Sequence, residues 1–444
     1  MYAKIIVFCL AKKFIERLPK KQMLQRKKGK KRIDFTEISL LAVCFFYLLG
    51  ENTNFGLDKY KYPVLFLYCF FLLFVLFFKK KNLSFSSFKL WKPVKLIFLF
   101  CTFAFIVSSI LMLSRNNRVN SGIVFYQQYD LFFLFFPILL SFLFVNQKKE
   151  INFSFVFEML FLFQAFFFVF DNHQYLSFSN FLSISILNSA SPFESSSALR
   201  FTYFCVFFSF QFISNKKTRF LLLYFSSLLL CCFCFKRFEL VASIVLPVLF
   251  FLFRKKLLKP VKRKTGIFFV LLFLVLAILY YDSSLNSSFH DFFYSLTGIK
   301  YTKFVSGRDV IIQSFLGPDF ESLGLGTSDW LMSISGREDM FLHCDLVKIY
   351  KELSIVGLLL FSYCYFEIGR INLFSFILII DLFVIMLINH TITNFFPKLL
   401  LFLLLDFSLE EKAKIYCSCQ KTTFSHSKNI ETPIFLSSTG KLRN

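Results

Sequence analysis

Long runs of hydrophobic residues alternate along this chain with short polar and basic stretches. Several of these segments reach the roughly 20 apolar residues that an α-helix needs to cross a bilayer. The runs are continuous, as over residues 65–78 and 267–280, whereas a transmembrane β-strand shows hydrophobic residues only at every second position. Because only helices and closed barrels satisfy their backbone hydrogen bonds inside a membrane, the pattern predicts an all-α, polytopic membrane protein.

The same pattern predicts about twelve transmembrane helices. The predicted spans are residues 35–50, 64–78, 94–113, 131–145, 152–170, 201–214, 220–235, 240–253, 266–281, 353–366, 373–388 and 398–407. The chain is thus predicted to consist of a basic leader (residues 1–34), nine spans (35–281), one large polar loop (282–352), three further spans (353–407) and a polar tail (408–444). We expect the tail to be partly disordered because it is polar and follows the last span.

The charge of the chain orients these spans. Lys and Arg number 51 against 27 Asp and Glu, which gives a net charge of +24. In a soluble protein this balance would indicate nucleic-acid binding. Here the cations cluster between apolar runs, as they do in cytoplasmic loops. An alternating count of spans places nearly all clusters, and both termini, in the cytoplasm. The leader is therefore expected to contact anionic lipid headgroups, and no nucleic acid.

The outer side of the membrane then carries the less basic loops. These loops are residues 51–63, 114–130, 171–200, 282–352 and 389–397. The basic pair Lys236–Arg237 also falls at the outer end of a span. Ionisable residues that break the orientation rule are candidates for function. Contact of the Arg237 guanidinium with lipid headgroups is the simpler alternative.

Phenylalanine and cysteine are both abundant but add little chemistry. We expect the 72 Phe residues to be lipid-facing substitutes for leucine. Most of the 12 Cys residues lie in apolar runs and are expected to be small buried hydrophobic residues. Cys417 and Cys419 stand alone in the tail and fall far short of a zinc site. The sequence therefore predicts no metal ion.

The large loop contains two segments that begin alike, Ser306-Gly307-Arg308-Asp309 and Ser335-Gly336-Arg337-Glu338. A Ser followed three residues later by an acidic residue is typical of a helix N-terminus. We therefore expect one helix to begin at each Ser, the second passing through His343. The turn Gly324-Leu325-Gly326 lies between them. It is a weak phosphate-loop candidate because no strand precedes it and no Lys follows it.

Three loop residues are candidates for binding or catalysis. An Arg in the first turn of a helix opposes the helix dipole, and an anionic ligand at that end would offset the cost. This argument favours Arg308 as an anion-binding residue, with Arg337 as a competing candidate. His343 carries an imidazole whose ordinary pKa, near ~6.5, suits a general base. A solvated helix end and a surface histidine are the simpler alternatives.

The order of these motifs resembles the O-antigen ligase/polymerase family. Its large loop reads S-G-R, then G-x-G, then H-N-x-x-L, then E-x-G-x-x-G at the mouth of the next helix. The matching segments here are Ser306-Gly307-Arg308, Gly324-Leu325-Gly326, His343-Cys344-Asp345-Leu346 and Glu352-Leu353-Ser354-Ile355-Val356-Gly357. The Lys236–Arg237 pair is similar to the family's S-R motif. Cys344, Ser354 and Lys236 depart from the usual Asn, Gly and Ser.

The resemblance implies an inverting glycosyltransferase of the bacterial inner membrane that needs neither metal nor cofactor. The donor would be a glycan on undecaprenyl pyrophosphate, and the acceptor a sugar hydroxyl. A polymerase of O-antigen or capsular polysaccharide is the favoured function, with a chain-length regulator as partner by family analogy. An O-antigen ligase that acts on the lipid A core is the alternative.

The resemblance also assigns roles. Arg308 and Arg237 would hold the pyrophosphate, because guanidinium pairs bidentately with phosphate. His343 would take the acceptor proton, and Asp345 would orient it or remain solvated. Lys236 is a further candidate substrate contact. A flippase of the lipid-linked sugar is another alternative, but it should bury ionisable groups in its spans, and most predicted spans lack them.

Overall fold

The computed structural model describes residues 34–51, 57–79, 88–115, 121–147, 150–172, 195–234, 236–336 and 342–427. Within these ranges the secondary structure is helical, without strands, and the predicted all-α class is confirmed. The helices are α1 Phe35–Glu51, α2 Asp58–Lys79, α3 Trp91–Arg115, α4 Ser121–Val145, α5 Phe153–Asn172, α6 Ser195–Asn215, α7 Thr218–Phe233, α8 Arg237–Leu252, α9 Arg263–Leu285, α10 Ser287–Thr297, α11 Tyr301–Phe304, α12 Arg308–Leu316, α13 Thr327–Ile334, α14 Asp345–Gly369, α15 Leu373–Ile388 and α16 Phe395–Ser427.

Six of these helices are long and apolar enough to cross a membrane, namely α2, α3, α4, α5, α9 and α14. Helices α7 and α15 are apolar but shorter. Each of the twelve predicted spans overlaps one helix. The described chain is thus compatible with a membrane-embedded protein, and the count of twelve spans with its orientation stays a prediction.

Helical structure extends beyond several predicted spans. The predicted outer segment 114–130 contains the first turns of α4, and residues 58–63 belong to α2. Helix α16 continues through the predicted polar tail as far as Ser427. The reason is visible in α4, where the polar residues Gln127 and Asp130 are buried against protein. Hydropathy marks only the apolar part of such a helix, whereas packing stabilises its polar turns as well.

Helix α14 lies at the centre of the helical packing. It packs against α3, α9 and α15, while α6 packs against α7 and α8, and α4 against α16. Phenylalanine fills much of this interior, and the rings of Phe157 and Phe207 stack with their centroids 4.1 Å apart. Phe201, Phe204 and Phe208 are fully buried. The expectation that phenylalanine is mainly lipid-facing filler is therefore wrong for this part of the chain.

The large loop between α9 and α14 forms a second, smaller hydrophobic core. Ile312 and Leu316 of α12 and Met332 of α13 pack there with Tyr281 at the end of α9. The Tyr281 hydroxyl also donates a hydrogen bond to the Leu316 carbonyl at 3.0 Å. This core holds the loop against the ends of α9 and α14.

The predicted helix starts in the loop are displaced. Helix α12 begins at Arg308 after Gly307, which is left-handed with φ 77°, and no side chain caps it. Ser335 ends α13 instead of starting a helix, and Gly336 follows with φ 73°. His343 precedes α14, so it does not lie on a helix. In both segments glycine after serine adopts the left-handed conformation that commonly ends a helix, and this outweighs the capping pattern.

Candidate functional site

Arg308 is a half-buried cation at the first position of α12. Its Nη1 donates to the Val305 carbonyl at 3.0 Å, and its Nη2 donates to Asn389 Oδ1 at 3.1 Å. Its Nε is buried and has no hydrogen-bond partner among the described residues. A buried N–H group without an acceptor is costly. The Arg308 guanidinium therefore retains N–H donors, the Nε–H among them, that an anionic ligand could use.

Asn389 connects Arg308 to the first turn of α8. Its Nδ2 donates to Glu239 Oε1 at 2.9 Å, and Glu239 is buried. Lys236 and Arg237 precede Glu239 at the same end of α8. Lys236 is half-buried, whereas Arg237 is exposed. The hydrogen bonds from Arg308 to Asn389 and from Asn389 to Glu239 thus hold Arg308 near the basic pair Lys236–Arg237.

His343 lies in the short connection before α14 and is half-buried. Its Nδ1 is buried without a hydrogen-bond partner among the described residues. Burial lowers the pKa of His343 to about 4, helped by the charges of Arg308, His390 and Lys236 and opposed by that of Asp345. The imidazole is therefore neutral at physiological pH. A neutral imidazole with an unpaired nitrogen can accept a proton from a substrate.

Asp345 binds the connection between α15 and α16 and does not bond to His343. Its carboxylate accepts hydrogen bonds from His390 Nδ1 at 3.0 Å, Thr391 N at 2.5 Å, Thr391 Oγ1 at 2.8 Å and Ile392 N at 2.9 Å. Asp345 is fully buried. It is thus neither solvated nor the orienting partner of His343. The sequence pattern missed this because the partners are 45 to 47 residues away.

His390 is the second histidine of the site. Its burial disfavours the imidazolium, but the Asp345 charge and hydrogen bond outweigh burial and raise the pKa of His390 above its ordinary value. Its charge in turn lowers the pKa of His343. His390 and Asn389 open the predicted outer loop 389–397. The topology predicted from the sequence places His390 and Asn389 on the same side of the membrane as the large loop. This shared side is the sequence signal that could have identified both residues as part of the site.

A buried lysine attaches the loop to the helices. Lys348 Nζ of α14 lies 2.5 Å from Asp130 Oδ2 of α4 and 2.5 Å from Asp329 Oδ2 of α13. Lys398 and Asp381 are also buried, in α16 and α15. Lys348, Asp130 and Asp329 lie outside the predicted spans, whereas Lys398 and Asp381 lie inside two of the twelve. Single charges within long apolar runs do not reveal their partners, since those come from other helices.

The Gly324-Leu325-Gly326 turn is held by protein atoms. Glu352 Oε2 accepts from Gly326 N at 2.8 Å, and Glu352 Oε1 accepts from Ser328 N at 2.7 Å and from its hydroxyl at 2.6 Å. The carboxylate thus occupies the N-terminus of α13, where a helix favours negative charge. These amides are not available to a phosphate. The G-x-G motif is a structural element that joins α13 to α14.

The structure brings together Arg308, His343 and Lys236 from three separate parts of the chain. Arg237 follows Lys236 in the chain and is exposed. Arg337 lies outside the described residues. Several cations thus surround a neutral imidazole, which suits an anionic ligand whose reaction needs a base. Among the described residues no group of three His, Cys, Asp or Glu side chains could hold a metal ion.

No family model, curated protein or solved structure matches this chain. The resemblance to the O-antigen ligase/polymerase family therefore stays a prediction.

Proposed function

We propose that this protein is a membrane glycosyltransferase that transfers a glycan from undecaprenyl pyrophosphate to a sugar hydroxyl, acting as an O-antigen or capsular polysaccharide polymerase of the bacterial inner membrane. One observation supports this function best. Arg308, with an unpaired buried N–H, and His343, with an unpaired buried nitrogen, lie within electrostatic range of each other and of Lys236. Such a site combines anion binding with a base.

In the proposed reaction the acceptor hydroxyl attacks the anomeric carbon from the face opposite the pyrophosphate. The new glycosidic bond forms as the bond from that carbon to the phosphate oxygen breaks, and the configuration inverts. Negative charge develops on the leaving lipid pyrophosphate, where Arg308 and Lys236 stabilise it. The acceptor proton moves to His343. The products are the extended glycan, undecaprenyl pyrophosphate and a protonated histidine that then releases its proton.

The low pKa of His343 fits this sequence of events. In the free protein, burial and neighbouring cations keep the imidazole unprotonated. A bound pyrophosphate would offset the charges of Arg308 and Lys236 and raise the His343 pKa toward its ordinary value near ~6.5. A base is most effective when its pKa lies near the working pH. Donor binding would therefore activate the base.

A ligase that transfers the glycan to the lipid A core would use the same site. The two activities differ in the acceptor, so a strain that lacks this gene separates them. Lipopolysaccharide with a single repeat unit supports the polymerase. Complete loss of core-attached glycan, with lipid-linked polymer accumulating, supports the ligase and contradicts the polymerase.

A flippase for the lipid-linked sugar is the second candidate, and the buried ionisable groups favour it. Lys348, Asp130, Lys398 and Asp381 are buried within the helices, as in proteins that move ions or charged substrates. A flippase should translocate labelled lipid-linked sugar in vesicles without any acceptor. It should also retain that activity when His343 is replaced.

The direct test uses purified protein with lipid-linked donor and acceptor. We expect His343→Ala and Arg308→Ala each to lower the transfer rate by about 10²-fold or more, as for loss of a base or of a charge-stabilising donor. His290→Ala, at a loop histidine bonded to the Ser283 carbonyl, is the matched control. Arg254→Ala, at an exposed arginine outside the loop, is the second. Wild-type transfer by both site variants would contradict the proposed site.

A further inference from the structure

Helix α10 carries a hydrophobic surface that no described residue covers. Phe292 is 61% exposed and Leu296 is 73% exposed, and both lie on one face of the helix. Ile299 and Phe304 follow in the chain and are also exposed. We call these four residues the apolar patch. None of the residues of α10 is buried.

The helix is nevertheless fixed in place. Asn286 caps it by accepting a hydrogen bond from Phe289 N at 3.2 Å, and left-handed Gly298 ends it. Phe289 and Phe293, on the flank of the patch, contact the Tyr301 ring at centroid distances of 5.3 and 5.4 Å. The apolar patch is therefore presented by a packed element, and its exposure follows from the fold.

We propose that the apolar patch docks onto the surface of the lipid bilayer. The first reason is continuity, since α9 is long and apolar enough to cross a membrane and a single residue separates it from α10. The side chains of Phe268, Leu271, Val275 and Leu279 are exposed along α9. The apolar patch follows the end of this span in the chain.

Charge and composition indicate lipid as the occupant. Lys300 and Lys303 are exposed beside the apolar patch, where cations can contact lipid phosphates. The acidic residue Asp291 lies on the other side of α10, together with Tyr294. An amphipathic helix with aromatic residues on its apolar face and cations at its edge is typical of helices that lie in the membrane interface.

Docking would set the position of the candidate site. Phe304 of the apolar patch is only four residues before Arg308, and the Val305 carbonyl between them accepts a hydrogen bond from Arg308. The patch would thus hold the Arg308 guanidinium at the level of lipid headgroups. The docking itself requires membrane insertion of α9 and does not depend on the proposed transferase activity.

The test measures the membrane depth of two positions on the same helix. Phe292→Trp and Tyr294→Trp are matched variants, because both replace exposed aromatic residues that are 61% and 54% exposed. The full chain is placed in nanodiscs that each hold one copy of the protein. One set of nanodiscs contains lipids brominated near the headgroup end of the acyl chains, and the other set contains none. The signal of the two native tryptophans is subtracted using the parent protein.

We expect the added fluorescence of Phe292→Trp to be blue-shifted and quenched by brominated lipid, several-fold more strongly than that of Tyr294→Trp. Leu296→Trp should repeat the result from a second patch position. Equal quenching at both faces, or none at either, would overturn the proposal. A blue shift of Phe292→Trp seen only in discs with two copies would show that a second chain covers the patch, and would overturn it as well.

Discussion

Replacement of Lys348 by Met should destabilise the protein strongly. The Lys348 side chain is fully buried and lies 2.5 Å from a carboxylate oxygen of each of Asp130 and Asp329. Met is also long and flexible and preserves much of the packing. It leaves two carboxylates without their cation, and removal of one partner from a buried ion pair costs about 3–5 kcal/mol. We expect Lys348→Met to lose about that much stability.

The measurement is unfolding of the detergent-purified protein by heat or denaturant, with a double-mutant cycle. Asp130→Asn removes one of the two charges, and the pair Lys348→Met with Asp130→Asn removes both members of the contact. Because the second change relieves the unpaired charge left by the first, the double variant should be about 0.5–3 kcal/mol more stable than the summed single effects.

Lys351→Met is the control on the same helix. Lys351 is half-buried, and its Nζ donates to the Tyr281 hydroxyl at 2.9 Å. Loss of a single hydrogen bond of this kind costs about 1 kcal/mol. Equal destabilisation by both methionine variants would refute the reasoning, as would strictly additive effects in the cycle. Either result would show that the buried triad contributes no more than ordinary packing.

Three further predictions concern backbone geometry and proton transfer. Ser354 has φ 67° and ψ −179° within α14, a conformation that glycine tolerates and other residues adopt at a cost of about 1–3 kcal/mol, so Ser354→Gly should raise the unfolding midpoint. A Cβ on Gly324 would lie 2.3 Å from the Ser108 side chain, whereas a Cβ on Gly298, which is also left-handed, would meet nothing within 4 Å. Gly324→Ala should therefore lower the free energy of unfolding by several kcal/mol, and Gly298→Ala by only about 1–2 kcal/mol. Because the pKa of His343 is about 4 in the free protein, kcat/KM for the lipid-linked donor should fall only below about pH 4. His390→Gln removes a cation that lowers this pKa and should move the acid limb to higher pH.

The positions of the helices could be predicted from the sequence because the signal is local. A run such as 373–388 coincides with the helix Leu373–Ile388, since each apolar side chain marks its own contact with lipid or protein. The tight turn at Gly324-Leu325-Gly326 was also predicted. Its function was not, because Glu352, which binds the turn, lies 24 to 26 residues away from the amides it accepts.

The candidate site shows the same division. Arg308 and His343 were identified as candidates from the sequence by residue type and motif order. The basic pair Lys236–Arg237 was identified because its positive charge falls at the predicted outer end of a span. The capping pattern around Ser306 and Ser335 was misleading, because a following glycine with positive φ decides where a helix begins or ends.

The sequence alone determined that the chain is helical, where most helices lie and which cations and histidine are the candidates for chemistry. Only the tertiary structure decided that Asp345 binds His390 and not His343, and that Lys348 joins three helices. The physical reason is that hydropathy and helix propensity act on near neighbours in the chain. The pairing of buried charges depends on which distant segments meet, and burial makes that pairing obligatory.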